Sequence, residues 1–373
     1  MWRLLLVISS ALIIQNVNAE LKFVFATARG MSHTPCDYPG GPKITGKSEN
    51  SSVLTPAGRK EASEIGRLLS DRYKSNLKVH KWDSNKNYWT LASTTRRSQE
   101  GALIIGSGLE GKKEAEWTQD KGEKTVFSLF GEYAKFYSPR SCPNFIEQQK
   151  MAVKDLLTKG ATNYKNLFAK LKKEAYKIDA TTSPQNVWLA YETLNLQSKL
   201  NQAPEWFESM KNELKSFSEE YLWRALTSNE NLRKMSGGRM INDILNDIDS
   251  IKEGKGQPGA PGKTGNKLSV LTVPQAILAA FVSAFAPKGT KIENQDLGPS
   301  SLYPGQGALH VIELHKDNNQ WSVKVLYRNN DKMELRPMKL PSCDDKCPYE
   351  TFKSTLQSYD IKKQDHDKLC KKQ

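Results

Sequence analysis

Two regimes of hydrophobic patterning divide the chain. Leu21–Ala28 is a near-continuous apolar run of strand length and reads as a buried strand. Thr55 can cap a helix that Pro56 opens, and Ala62, Ile65, Leu68 and Leu69 carry its apolar face to about Tyr73. Leu77–Trp82 and Tyr88–Ser93 are expected to be strands, and a helix through Ala102–Ile105 follows the second. From about Glu110 to Met235 strand patterns fade. Helical spacing dominates there, over Ile146–Leu157, Tyr164–Tyr176, Val187–Leu200 and Trp206–Leu226. Gly237-Gly238 opens a helix through Ile244–Ile251. Leu268–Val273 is the next buried strand, and Pro274 starts a helix through Ala284. His310–Leu314 and Trp321–Tyr327 pair as a hairpin across Asp317-Asn318-Asn319, and Tyr349–Leu356 is the last expected helix.

Strands alternating with helices predict an α/β fold, interrupted by a mainly helical section. Two strand ends then draw attention. Leu21–Ala28 delivers Arg29-Gly30-Met31-Ser32-His33-Thr34-Pro35, and Tyr88–Ser93 delivers Thr94-Thr95-Arg96-Arg97. Open α/β sheets place ligands at the carboxyl ends of their strands. Two basic strand-to-helix loops in one sheet would converge on an anion. The stretch Gly256–Gly265 contains three Gly-X-Y triplets, far too few for a collagen helix, and reads as a flexible loop.

Composition changes this picture in three ways. Residues 1–19 have the form of a secretory leader: basic Arg3, apolar Leu4–Ile14 and the small-residue site Val17-Asn18-Ala19. The mature chain is expected to start near Glu20, to be secreted, and to have no membrane span. The net charge of +14 falls to +13 without Arg3 and favours anionic partners such as heparin-like glycans, the bland alternative being a solvated basic surface. No basic run with interleaved aromatics marks a nucleic-acid binder. The five cysteines suggest two disulfides. Cys343 and Cys347 can close a small loop, Cys142 and Cys370 would tie the middle of the chain to its end, and Cys36 is left over as a reactive or an inert buried thiol. Asn50-Ser51-Ser52 is the single N-glycosylation sequon.

The first loop resembles the Arg-His-Gly-x-Arg-x-Pro signature of the histidine acid phosphatases. Arg29 and Pro35 match it; Gly30 stands at the nucleophilic histidine, Met31 at the glycine and His33 at the second arginine. Other segments resemble the family in the same order. They are Tyr38-Pro39, Arg97 with Ala102, Arg140–Phe145, Gly237–Leu245, Leu326–Asn329, and Leu340-Pro341 to Cys347-Pro348. The resemblance implies a central mixed sheet flanked by helices with an inserted helical cap. It places the core at residues 20–109 and 238–373 and the cap at 110–237.

The family uses histidine as nucleophile, arginines to hold phosphate, and an aspartate in a His-Asp pair as general acid. Here Thr272 and Val273 stand at that pair. Glycine cannot form a phospho-enzyme and valine cannot donate a proton. A catalytically inactive protein without cofactor or metal is therefore expected. Its candidate ligand-binding residues are Arg29, Gly30, His33, Arg97, Thr272, and Trp117 and Trp206, which resemble pocket-lining aromatics of the family. Asp37, Glu205 and Asp296 are candidate carboxylates for an amine.

The loss of both motifs in a basic, secreted chain resembles the acid phosphatase-like salivary proteins of blood-feeding fleas. That resemblance implies sequestration of small mediators: biogenic amines such as serotonin, and leukotrienes. Binding to glycans or host cells through the basic surface, and residual phosphatase activity, are the alternatives.

Overall fold

The computed structural model describes residues 19–37, 53–93, 95–112, 126–128, 142–174, 184–258, 264–285, 303–341, 343 and 345–371. Asn50, Trp117, Asp296, Tyr38-Pro39 and the leader through Asn18 lie outside them.

Four parallel strands form one side of the sheet: β1 (Glu20–Arg29), β2 (Tyr88–Ala92), β3 (Val126–Ser128) and β4 (Leu268–Val273). β5 (Leu309–Asp317) runs antiparallel to β1, and β6 (Gln320–Arg328) antiparallel to β5. β7 (Arg336–Pro337) and β8 (Cys347–Pro348) both pair with β6. The order is β3-β2-β4-β1-β5-β6-β7, so β1 and β4 are central. Central strands are covered on both faces, which is why their sequences are apolar without alternation.

The two faces of β1 serve different cores. Val24, Ala26 and Ala28 pack with α1 (Pro56–Tyr73) and α2 (Arg96–Leu109). Phe23 and Phe25 pack with α8 (Arg239–Lys252), α9 (Gln275–Ser283) and α10 (Tyr349–Leu356). α1 is capped by Thr55, whose Oγ1 accepts from Gly58 N, with Pro56 at its first position. It lies so close to α2 that a Cβ on Gly66 would stand 2.2 Å from the Ile105 carbonyl oxygen.

The helical section consists of α3 (Pro143–Asn163), α4 (Lys165–Glu174), α5 (Pro184–Lys199), α6 (Glu205–Thr227) and α7 (Glu230–Arg233). A π-helical turn, Lys234–Gly238, leads from α7 into α8. This section has its own core around Phe207, Phe217 and Tyr221, to which Ala279 and Ala280 of α9 contribute. Disulfides join Cys142 to Cys370 and Cys343 to Cys347, and Cys36 is free. The first ties α3 to the last helix, α11 (Lys363–Cys370).

Three features depart from the sequence expectations. Leu77–Trp82 is not a strand but a run of turns. Lys78 takes φ 56°, a left-handed conformation that stops extension, and the Trp82 indole folds back to donate to Ser70 Oγ on α1 at 3.0 Å. β3 pairs with β2 inside the stretch where strand patterns fade; three residues are too few to show a period of two. α11 was not anticipated, because only His366 and Cys370 of its eight residues are buried.

Candidate functional site

Parallel pairing brings the carboxyl ends of β1, β2 and β4 to one edge. Arg29 pairs with Val273, and Ala28 and Ala92 both pair with Thr272. The loop after β1 is then fixed bond by bond. Arg29 N donates to Ala308 O and Gly30 N to Val273 O, each at 3.0 Å. Ser32 donates to both oxygens of Glu61, from N at 2.9 Å and from Oγ at 2.8 Å. Thr55 N donates to Ser32 O at 3.1 Å. These contacts hold the loop against the start of α1.

Gly30 is buried and puts no side chain between the two loops. A Cβ there would have Arg97 Nε and Val273 O as its nearest neighbours, both at 4.0 Å, and its φ is not in the left-handed region. The glycine therefore answers no backbone demand, and a Cβ would be accepted there in ordinary van der Waals contact. Arg97 sits in the first turn of α2, whose end already carries partial positive charge. Burial and the Arg29 charge push its guanidinium below the ordinary value, opposed by Cys36 and Glu192.

His33 is held by its Nδ1, which donates to the Met31 carbonyl at 3.1 Å. Burial, then Arg97 and Arg29, lower its pKa to about 3, so it is a neutral imidazole at physiological pH. The site thus contains two cationic arginines and no third cation from His33.

Arg29 is committed to a carboxylate that the sequence reading missed. Its Nη2 donates to Glu192 of α5, and its Nη1 to the Pro304 carbonyl. Tyr303 Oη donates to the other oxygen of Glu192. Gln275 of α9 donates to the same Pro304 carbonyl at 3.0 Å and accepts from Trp188 Nε1 at 3.2 Å. Thr193 Oγ1, beside Glu192, donates to the Cys36 carbonyl at 3.0 Å. These bonds clamp α5 over the end of β1. No sequence signal marked Glu192; it stands between Tyr191 and Thr193, which the structure buries.

The other candidates stand further off. Thr272 is fully buried and its hydroxyl donates to the Ser98 carbonyl at 2.8 Å, so it braces α2 instead of facing a ligand. Val273 is buried among hydrocarbon. Trp206 opens α6, partly buried on the helical core, with its ring edge-on to Phe207 at 6.4 Å. Asp37 and Glu205 are exposed. A mostly apolar cavity of about 320 Å³ begins one residue past Val273, at Pro274. Trp188, Tyr221, Phe145, Leu226 and Ile277 are among the residues that line it. Among the described residues no His, Cys, Asp and Glu cluster could hold a metal ion, and no helix is long and apolar enough to cross a membrane.

Comparison with known proteins accounts for this arrangement. The family described as histidine phosphatase superfamily (branch 2) matches residues 11–328. Acid phosphatase-like protein XcAP-1 of Xenopsylla cheopis is 39% identical over 377 residues, covering 99% of each chain. Acid phosphatase-like protein XcAP-3 of the same flea is 39% identical over 375 residues, covering 99% of this chain and 97% of its own. Among solved structures, Hafnia alvei phytase in complex with myo-inositol hexakis sulphate aligns over 92% of this chain and 98% of its own. The TM-score is 0.64 at 14% identity, a likeness of fold.

Proposed function

This chain belongs to branch 2 of the histidine phosphatase superfamily, and we propose that it is a secreted, non-catalytic member that binds small mediators in the former active site. The carrying observation is the missing side chain at Gly30, beside Arg97 and the Val273 carbonyl. Where the family resemblance places a nucleophile there is no side chain, and where it places a general acid there is valine. His33 is a poor substitute: it sits three positions along the loop, and attack on phosphorus requires close in-line placement. Removing a nucleophile and an acid leaves binding intact while abolishing most of the rate.

The charge pattern suits two ligand types. The positive charge of Arg97 suits a carboxylate, and the apolar cavity that Pro274 helps to line suits an apolar tail, a combination that fits a leukotriene. An ammonium can approach Glu192, which already holds Arg29 and Tyr303, and this fits a biogenic amine such as serotonin. Disulfides and the leader-like residues 1–19 favour an oxidising, extracellular setting.

Calorimetric titration of wild-type protein with serotonin, related amines and leukotrienes tests the reading. It should give 1:1 binding at this site for at least one mediator, and no turnover of a generic phosphomonoester across acid and neutral pH. Absence of heat with the whole panel would sink it, as would turnover lost on His33→Ala.

A further inference from the structure

A second cavity, of about 270 Å³, lies between the sheet and α8. It runs beside β1, β2 and β4 from the Phe25–Ser269 pair to the Thr27–Leu271 pair, the latter two residues short of the Arg29–Val273 pair. At ~3.3 Å per residue its near end is roughly 7 Å from the strand ends. None of Arg29, Gly30, His33 and Arg97 lines it. The volume is near the lower end of small-molecule sites, about 300–1,000 Å³.

We propose that this cavity is an independent binding site for a small organic cation with a flat apolar body. Its walls divide by chemistry. Phe25 of β1, Trp89 of β2 and Met240 of α8 give an apolar, aromatic surface. Asp243 and Asp247, one helical turn apart on α8, give the polar end. Asp243 is already paired with Arg239, at 3.2 Å. Asp247 instead accepts one neutral hydrogen bond, from Gln257 Nε2 at 2.8 Å. Gln257 is itself oriented by Asn266 Nδ2 at 2.6 Å and Ser269 Oγ at 2.5 Å, so the carboxyl is held by a buried polar frame.

Among the described residues no cationic side chain pairs with Asp247, in a chain of net charge +14. Burial, and then the charge of Asp243, push its carboxyl up to about 7. An ammonium group beside it supplies the missing countercharge, and the Trp89 indole offers a face for an aromatic body or for the cation itself. Asn246 and Pro258 line the cavity and are exposed, so it reaches solvent there. Gln257 and Pro258 come from the collagen-like stretch, which thereby gains a structural reason for its place in the sequence.

Tryptamine is a suitable probe and indole-3-propionate its anionic control. Calorimetry should show tryptamine binding that survives Gly30→Trp, that Asp247→Asn and Trp89→Leu made in the Gly30→Trp background each weaken at least tenfold, and that indole-3-propionate does not reproduce. Unchanged affinity in both cavity variants, or no tryptamine heat in the wild type, overturns the proposal. If Gly30→Trp abolishes all tryptamine binding, the second site falls while the former active site stands as the amine site. If the Asp247 variant fails to fold, a wild-type crystal soaked in tryptamine decides, and empty density beside Asp247 refutes the site.

Discussion

Replacing Arg29 by alanine will cost about 3–5 kcal/mol of stability, the usual penalty for removing one partner of a buried ion pair. Arg29 is 7% exposed, and its guanidinium bridges β1 to Glu192 on α5 and to the Pro304 carbonyl. Alanine leaves the Glu192 carboxylate with Tyr303 as its direct partner, in a place water reaches poorly. The loss therefore exceeds that of a surface bridge, which is about 0–1 kcal/mol. The double variant Arg29→Met with Glu192→Gln should recover much of the loss, because no charge is then stranded. Urea denaturation measures both. A cost under about 1 kcal/mol for Arg29→Ala would show that the pair behaves as a surface one and does not clamp α5 to the sheet.

The second large effect is an acid limb of stability set by buried histidine. His310 on β5 is fully buried, with ring centroids 5.0 Å from Phe281 and 4.7 Å from Phe285. Neither of its ring nitrogens has a hydrogen-bond partner among the described residues. Burial lowers its pKa to about 3, and His33 is lowered to about 3 as well. A depressed histidine pKa means that the unfolded chain binds the proton first. Stability is then complete above pH 6.5 and is lost as pH falls toward 3.

Asp247 acts in the opposite sense. Raised to about 7, it is protonated in the folded protein and ionised in the unfolded chain between the ordinary aspartate value of 3.8 and 7. His366 is lowered by burial as well and adds to the uptake; His310 and His33 against Asp247 alone leave a net uptake of one on unfolding. That is a slope of about 1.4 kcal/mol per pH unit between pH 4 and 6.5. His310→Phe removes one of the two. It should flatten this limb and gain about 2–3 kcal/mol at pH 4.5 relative to the difference seen at pH 7.5. Urea midpoints measured from pH 4 to 8 check it; parallel pH profiles for variant and wild type would contradict it.

The elements legible in the sequence are those whose signals are local. β1 and β4 are apolar because helices cover both faces, and that pattern needs no tertiary information to be read. Thr55-Pro56 marks the start of α1 for a similarly local reason, a capping hydroxyl followed by a residue that needs no donor. Leu77–Trp82 misled because its aromatic and branched residues pack downward onto α1, not along a ladder. β3 and α11 carry too few buried positions to set a period.

The same limit governs the site. Arg29, Gly30, His33 and Arg97 were readable because two strand-end loops converge wherever parallel strands adjoin. Glu192 was not, since its role exists only once α5 crosses the end of β1. Thr272 was placed at the right strand end, but the side chain turns toward α2. A carboxylate such as Asp247 looks like any solvated helix position until the sheet, Gln257 and Trp89 close around it.

The central claim is that the space at Gly30 has become a binding site. Titration of Gly30→Trp beside its parent with whichever mediator binds, both in an Asp247→Asn background that silences the second cavity, tests it most directly. The indole would start beside Arg97 Nε and Val273 O and carry no backbone penalty, since Gly30 is not left-handed. The account predicts that the variant folds like the wild type and loses mediator binding at least a hundredfold. Undiminished 1:1 binding in that folded double variant would place the ligand elsewhere and contradict it.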